Sequence, residues 1–164
     1  MHTSDKWLIG IVIGAALLVC AAVAVTVLRP KPAYRADDTP AGVTHNYLLA
    51  LKQRDYARAY GYLSPTLSGY PPTLGAFTRD IEDQAYHFDF DNVSLETGDT
   101  RALSDRTIVT VKRTTFSSDG LFGSNAYTST FDVALRREGA AWKIIHADAY
   151  WSWEWERKPR DAAR

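Results

Sequence analysis

Three hydrophobic regimes follow one another along the chain. The first is the run WLIGIVIGAALLVCAAVAVTVL, Trp7–Leu28, which holds 22 residues and no charge. At ~1.5 Å per residue a helix of that length spans roughly 33 Å, enough for a hydrocarbon core of about 30 Å. The run therefore predicts a single transmembrane helix that acts as an uncleaved signal anchor. Two other readings compete with it. Ala22-Val23-Ala24 has the small residues of a signal-peptide cleavage site, but the apolar stretch runs on to Arg29-Pro30-Lys31. Cys20 suggests a lipoprotein signal, but Val19 before it is not small, so Cys20 reads as a small buried hydrophobe.

The second regime has a period near 3.6. Asp38 or Thr39 can cap a helix with Pro40 in its first turn, and Val43, Tyr47, Ala50 and Leu51 recur along one face. Asp55 caps a short second helix, YARAYGYL, with Ala59, Tyr60 and Leu63 on one side, and Ser64-Pro65 stops it. Thr73 caps a third helix that carries Leu74, Phe77 and Ile81. The third regime has period 2. Tyr86, Phe88 and Phe90 alternate with polar residues, and the parity slips at Val93 and Leu95, which predicts a strand with a β-bulge near Asp91-Asn92. Thr107–Phe116, then Tyr127–Leu135, then AWKIIHADAYWSWEW follow as strands, with turns at Asp119-Gly120 and Glu138-Gly139. Helices followed by antiparallel strands place the chain in the α+β class: a single N-terminal transmembrane helix, then three helices packed in a curved antiparallel sheet of about four strands.

Composition narrows the partners. There are 19 basic and 19 acidic residues, so the basic excess of a nucleic-acid binder is missing. The one cysteine lies in the apolar run and leaves the rest of the chain no disulfide and no cysteine metal site. The expected layout is a tail at 1–6, the membrane helix at 7–28, a proline-rich linker at 29–37, a domain at 38–155 and a basic tail at 156–164. Arg29, Lys31 and Arg35 outnumber Lys6 and the α-amine, so the positive-inside rule alone places the domain in the cytoplasm.

The helical pair NYLLALKQRDYARAYGYLSP (46–65) and the closing strand AAWKIIHADAYW (140–151) resemble the nuclear transport factor 2-like superfamily over about residues 38–155. The resemblance implies a cone in which the curved sheet wraps around the helices. It says little of function, because that superfamily hosts isomerases, dehydratases, hydrolases and binding modules. With an N-terminal membrane helix the chain is similar to bacterial extracytoplasmic proteins: lumazine-binding-like domains of unknown function, proteins associated with mammalian-cell-entry systems, and the inner-membrane core subunit of type IV secretion. The N-terminal domain of some penicillin-binding transpeptidases is similar too, but no transpeptidase domain follows. These relatives imply a cell-membrane, single-pass protein with its domain on the extracytoplasmic side, against the flanking charges.

Candidate chemistry centres on the last strand. By period 2, Trp142, Ile144, His146, Asp148 and Tyr150 share one face. If that face lines the cone, Asp148 could raise the basicity of His146 for general-base work, with Tyr47, Tyr60 or Tyr127 as an oxyanion donor. Asp89 and Asp91 are further candidate bases, though their alternation with aromatics puts them on the solvent side. The opposite parity carries Trp151, Trp153 and Trp155, which are either core or an exposed aromatic row for a ligand or partner. Leu121 and Phe122 in the loop SSDGLFGSNA are further contact candidates. His2, His45, His87 and His146 lack metal-ligand spacing, and no glycine-rich phosphate loop or G-x-S-x-G elbow occurs, so no metal and no cofactor are expected. The reading is a membrane-anchored, extracytoplasmic, noncatalytic binding or assembly module of a bacterial envelope. The alternative is a small lyase or isomerase of the steroid-isomerase-like type with His146 and Asp148 in the cavity. Expected partners are the lipid bilayer, through Trp7–Leu28, and a protein of an envelope complex, with a homodimer through the sheet face as a further candidate and no nucleic acid.

Overall fold

The structure is a computed structural model that describes residues 11–21, 23, 32–119 and 123–157. The chain divides into two compact units, Met1–Ala33 and Tyr34–Arg164. In the first unit, residues 11–21 form a helix, α1, whose side chains are exposed. Among the described residues, no helix is long and apolar enough to cross a membrane. At ~1.5 Å per residue, α1 covers roughly half of a hydrocarbon core of about 30 Å. The expected transmembrane helix over Trp7–Leu28, and with it the single-pass localisation in a cell membrane, is therefore corrected: among the described residues the run supplies only the helix over 11–21, which is too short to cross. The rest of the expected span lies outside the described residues. Cys20, read as a buried hydrophobe, is exposed.

In the second unit the sequence signals for helices act as expected. Helix α2 is Pro40–Gln53, with proline in its first turn and the Thr39 hydroxyl accepting from the Gly42 amide at 3.1 Å. It ends at Arg54, whose left-handed backbone (φ 58°) closes the last turn. Helix α3 is Tyr56–Tyr62, capped by Asp55, and α4 is Leu74–Asp83, capped by Thr73. Val43, Tyr47, Ala50, Leu51, Ala59, Leu63, Phe77 and Ile81 are all buried, whereas Leu74 is exposed in the first turn of α4.

The strand expected at Tyr86–Phe90 does not form. Ala85–Phe88 is instead a 3-10 turn that continues α4, and Asn92 reverses the chain with φ 53°. Asparagine tolerates that left-handed region, so the parity slip marks a turn rather than a bulge. The sheet is a four-stranded antiparallel meander in the order β1-β2-β3-β4: β1 Val93–Ala102, β2 Thr107–Asp119, β3 Gly123–Glu138 and β4 Ala141–Ala147. Its β1/β2 register shifts between Thr97 and Thr100 instead. Val109, Val111, Phe131, Val133 and Leu135 point from the sheet into the helices.

The free edge of β4 is covered. Leu63 bridges to Ile144, and the Ser64 amide donates to the Ile144 carbonyl at 2.9 Å. On the other flank, the fully buried Asn46 fastens the segment before α2. Its amide oxygen accepts from the Arg35 amide at 2.7 Å, and its amide nitrogen donates to the Arg35 carbonyl at 2.7 Å.

Candidate functional site

One question governs the site: which face of β4 points inward. The register answers that neither parity holds throughout. Leu135 pairs with Ile144 and Ala134 with His146, so Ile145 has no partner and β4 bulges there. Ile144 is buried before the bulge and Ala147 after it. The bulge therefore turns His146 and Asp148 to the outside, although Ile144, two residues earlier, faces the core.

His146 and Asp148 do meet, but on the surface. The His146 Nε2 lies 3.0 Å from Asp148 Oδ1, and its Nδ1 is in hydrogen-bond contact with Glu156 Oε1. Asp148 is fixed in turn, because its other carboxylate oxygen accepts from the Asp132 amide at 3.0 Å. Glu156 Oε1 also accepts from the Trp151 indole N–H at 2.9 Å. Partial burial pulls the His146 pKa down, but hydrogen bonds and charge from Glu156 and Asp148 outweigh it and leave the value raised. With both ring nitrogens engaged by carboxylates, the imidazolium is the form that satisfies the cluster. A base needs a free ring nitrogen, and this arrangement offers none.

Tyr47 is far from an oxyanion donor's setting. It is buried, its hydroxyl donates to the Tyr150 carbonyl at 2.8 Å, and burial pushes its pKa well above the ordinary phenol value. Tyr60 likewise donates to the Pro71 carbonyl at 2.7 Å, and Tyr127 is exposed. Asp89 and Asp91 are exposed, with Asp89 Oδ1 accepting from the Asp91 amide at 2.8 Å in a local turn. Among the described residues, no group of His, Cys, Asp and Glu could hold a metal ion.

The three tryptophans do not form one row. After Ala147 the chain leaves the sheet, and Tyr150 adopts φ 56°, a rare conformation for a bulky residue. Trp153–Glu156 is a 3-10 turn, so positions i, i+2 and i+4 diverge. Trp155 is fully buried: it stacks on Phe77 at 5.0 Å, meets Trp151 edge-on at 4.9 Å, and donates its indole N–H to Asp80 at 2.8 Å. Trp153 alone of the three stays open, 48 % exposed, with the Arg157 guanidinium over its ring at 3.8 Å. Leu121 and Phe122 lie outside the described residues.

The alternation that predicts a strand over Tyr86–Phe90 conceals a surface feature, the turn at Ala85–Phe88. Tyr86 on it is 90 % exposed. Open clefts lie around it: one of about 490 Å³ toward α2 and α4, lined by Lys52, Arg54, Glu82 and Tyr86, and one of about 430 Å³ toward the sheet, lined by Tyr86, His87, Arg113, Asp148 and Trp151. A third, of about 390 Å³, adjoins them and is lined by His87, His146, Trp151, Trp153 and Glu156.

These observations define an α+β domain in which helices and a C-terminal segment pack on one face of an antiparallel meander. No family model and no curated protein matches the chain. Among solved structures it is similar to a candidate calcium/calmodulin-dependent protein kinase type II association domain from Thiobacillus denitrificans (13 % identity, 73 % of this chain and 97 % of that one, TM-score 0.48). It is also similar to a SEC-C motif containing protein from Rhodopseudomonas palustris (15 %, 70 % and 81 %, TM-score 0.45). A candidate dehydratase of the NTF2-like family from Streptomyces avermitilis is a third (14 %, 65 % and 90 %, TM-score 0.42). At these scores the likeness bears on neither the substrate nor the partner of this chain.

Proposed function

We propose that this domain is a noncatalytic binding module whose contact surface is the rim formed by Tyr86, His87 and Trp153. The observation that carries the reading is the pairing of a filled interior with two exposed aromatics on adjoining clefts. Trp155, Tyr47 and Phe77 are fully buried and fill the interior between the helices and the sheet. Tyr86 and Trp153 remain outside, and His87 lines the clefts beside both. Exposed Tyr and Trp supply large contact area at low entropic cost and are over-represented among residues that dominate binding energy. The lyase alternative gains no support from the site, because the His146 ring nitrogens and the Tyr47 hydroxyl are all committed to partners within the chain.

The test compares retention of a protein partner by the wild type, Trp153→Ala and Tyr86→Ala. Each substitution is expected to weaken binding about 30-fold, the equivalent of roughly 2 kcal/mol, with an unchanged melting temperature. Equal retention by all three proteins would sink the proposal.

A further inference from the structure

Residues 148–156 behave as one strap. It leaves β4 through the turn at Asp148–Tyr150, drives Trp151 and Trp155 into the core, and at its far end returns to β4 through the contact of Glu156 with His146. We propose that protonated His146 fastens this strap, and that loss of its proton lets the strap lift from the core as a unit. Three features place the fastening there. First, the contact joins the two ends of the strap, because His146 is the residue before Ala147 at the end of β4 and Glu156 closes the 3-10 turn. Second, Asp148 and Glu156 present acceptors to both ring nitrogens, and only the imidazolium has two N–H donors. A neutral ring must turn a lone pair toward one carboxylate. Third, Tyr150 sits at the hinge in the left-handed region, where a bulky side chain stores strain that opening would relieve.

The groups facing the ring are few. Asp148 approaches from the turn after β4, Glu156 from the 3-10 turn, and His87 lines the same cleft from the turn after α4. Trp151, Trp153 and Gln84 carry no charge there, and the Asp132 carboxylate is taken by the Thr110 hydroxyl at 2.7 Å. Because the folded-state value is raised, the contribution of the fastening is complete below the ordinary histidine range and is lost as pH rises through the raised value. The strap is therefore held closed while His146 keeps its proton and loosens as pH rises through the raised value.

Amide hydrogen exchange on the full chain, followed by NMR and corrected for intrinsic rates, tests this. The Trp155 amide, which donates to Ser152, and the Gly69 amide, which donates to Trp155, report the strap; Val109 and Val133 report the core. From about pH 6 to about pH 9 the strap is expected to lose roughly threefold or more of its protection relative to the core. In His146→Gln the strap is expected to show the lower protection at both pH values, with no pH dependence. A constant strap-to-core ratio in the wild type, or an unchanged pH dependence in His146→Gln, would overturn the proposal. Glu156→Gln keeps an acceptor for Trp151 and should lower the His146 titration midpoint; an unchanged midpoint would also overturn it.

Discussion

Replacing Trp155 with alanine is expected to lower the unfolding free energy by about 3–5 kcal/mol, the range for emptying a large aromatic site in a core. Trp155 sits where helix, turn and strap converge. Its ring stacks on Phe77 of α4, lies against Phe88 of the following turn at 6.2 Å, and meets Trp151 of its own strap. Its indole N–H donates to Asp80, so truncation also removes that hydrogen bond. Trp153→Ala, two residues away, removes a half-exposed ring and is expected to cost less than 1 kcal/mol. Urea unfolding of both variants separates the two sites. Equal costs would mean that the strap does not hold one tryptophan in and the other out.

Gly69→Ala is the second large effect, expected at about 1–3 kcal/mol through overpacking. A Cβ at Gly69 would lie 1.9 Å from the Glu154 carbonyl oxygen and 2.8 Å from that of Arg157. Both are backbone atoms, so the strap itself must move. The loss should fall on the strap, breaking the Gly69 amide's bond to the Trp155 carbonyl at 3.0 Å while the β2/β3 pairing is kept. A melting temperature equal to the wild type's would contradict the close approach of this loop to the strap.

Much of the domain was readable from local chemistry. Thr39, Asp55 and Thr73 start α2, α3 and α4 because each side chain satisfies an amide of the first turn. The meander was readable in its three later strands, since alternating β-branched and aromatic residues pack against one buried face. The failures share a cause: patterns were extended past points where the backbone changes direction. At Tyr86–Phe90 three alternating aromatics mimic a strand, yet Asn92 turns the chain before β1 begins. In β4 a single unpaired residue, Ile145, reverses the parity that the catalytic reading of His146 relied on. Beyond Ala147 the positive φ of Tyr150 breaks the tryptophan row, and no propensity predicts such a conformation for tyrosine. At Trp7–Leu28 apolar length does not by itself give helix length, and among the described residues no helix is long enough to cross a membrane.

The interior of the domain is closed by its own C-terminal strap, and the proposed function needs that interior closed. Proton NMR of the Trp155 indole tests this most directly. The expected result is a slowly exchanging Nε1–H with nuclear Overhauser contacts to the Phe77 ring. A freely exchanging Nε1–H without those contacts would show an open interior and contradict the account.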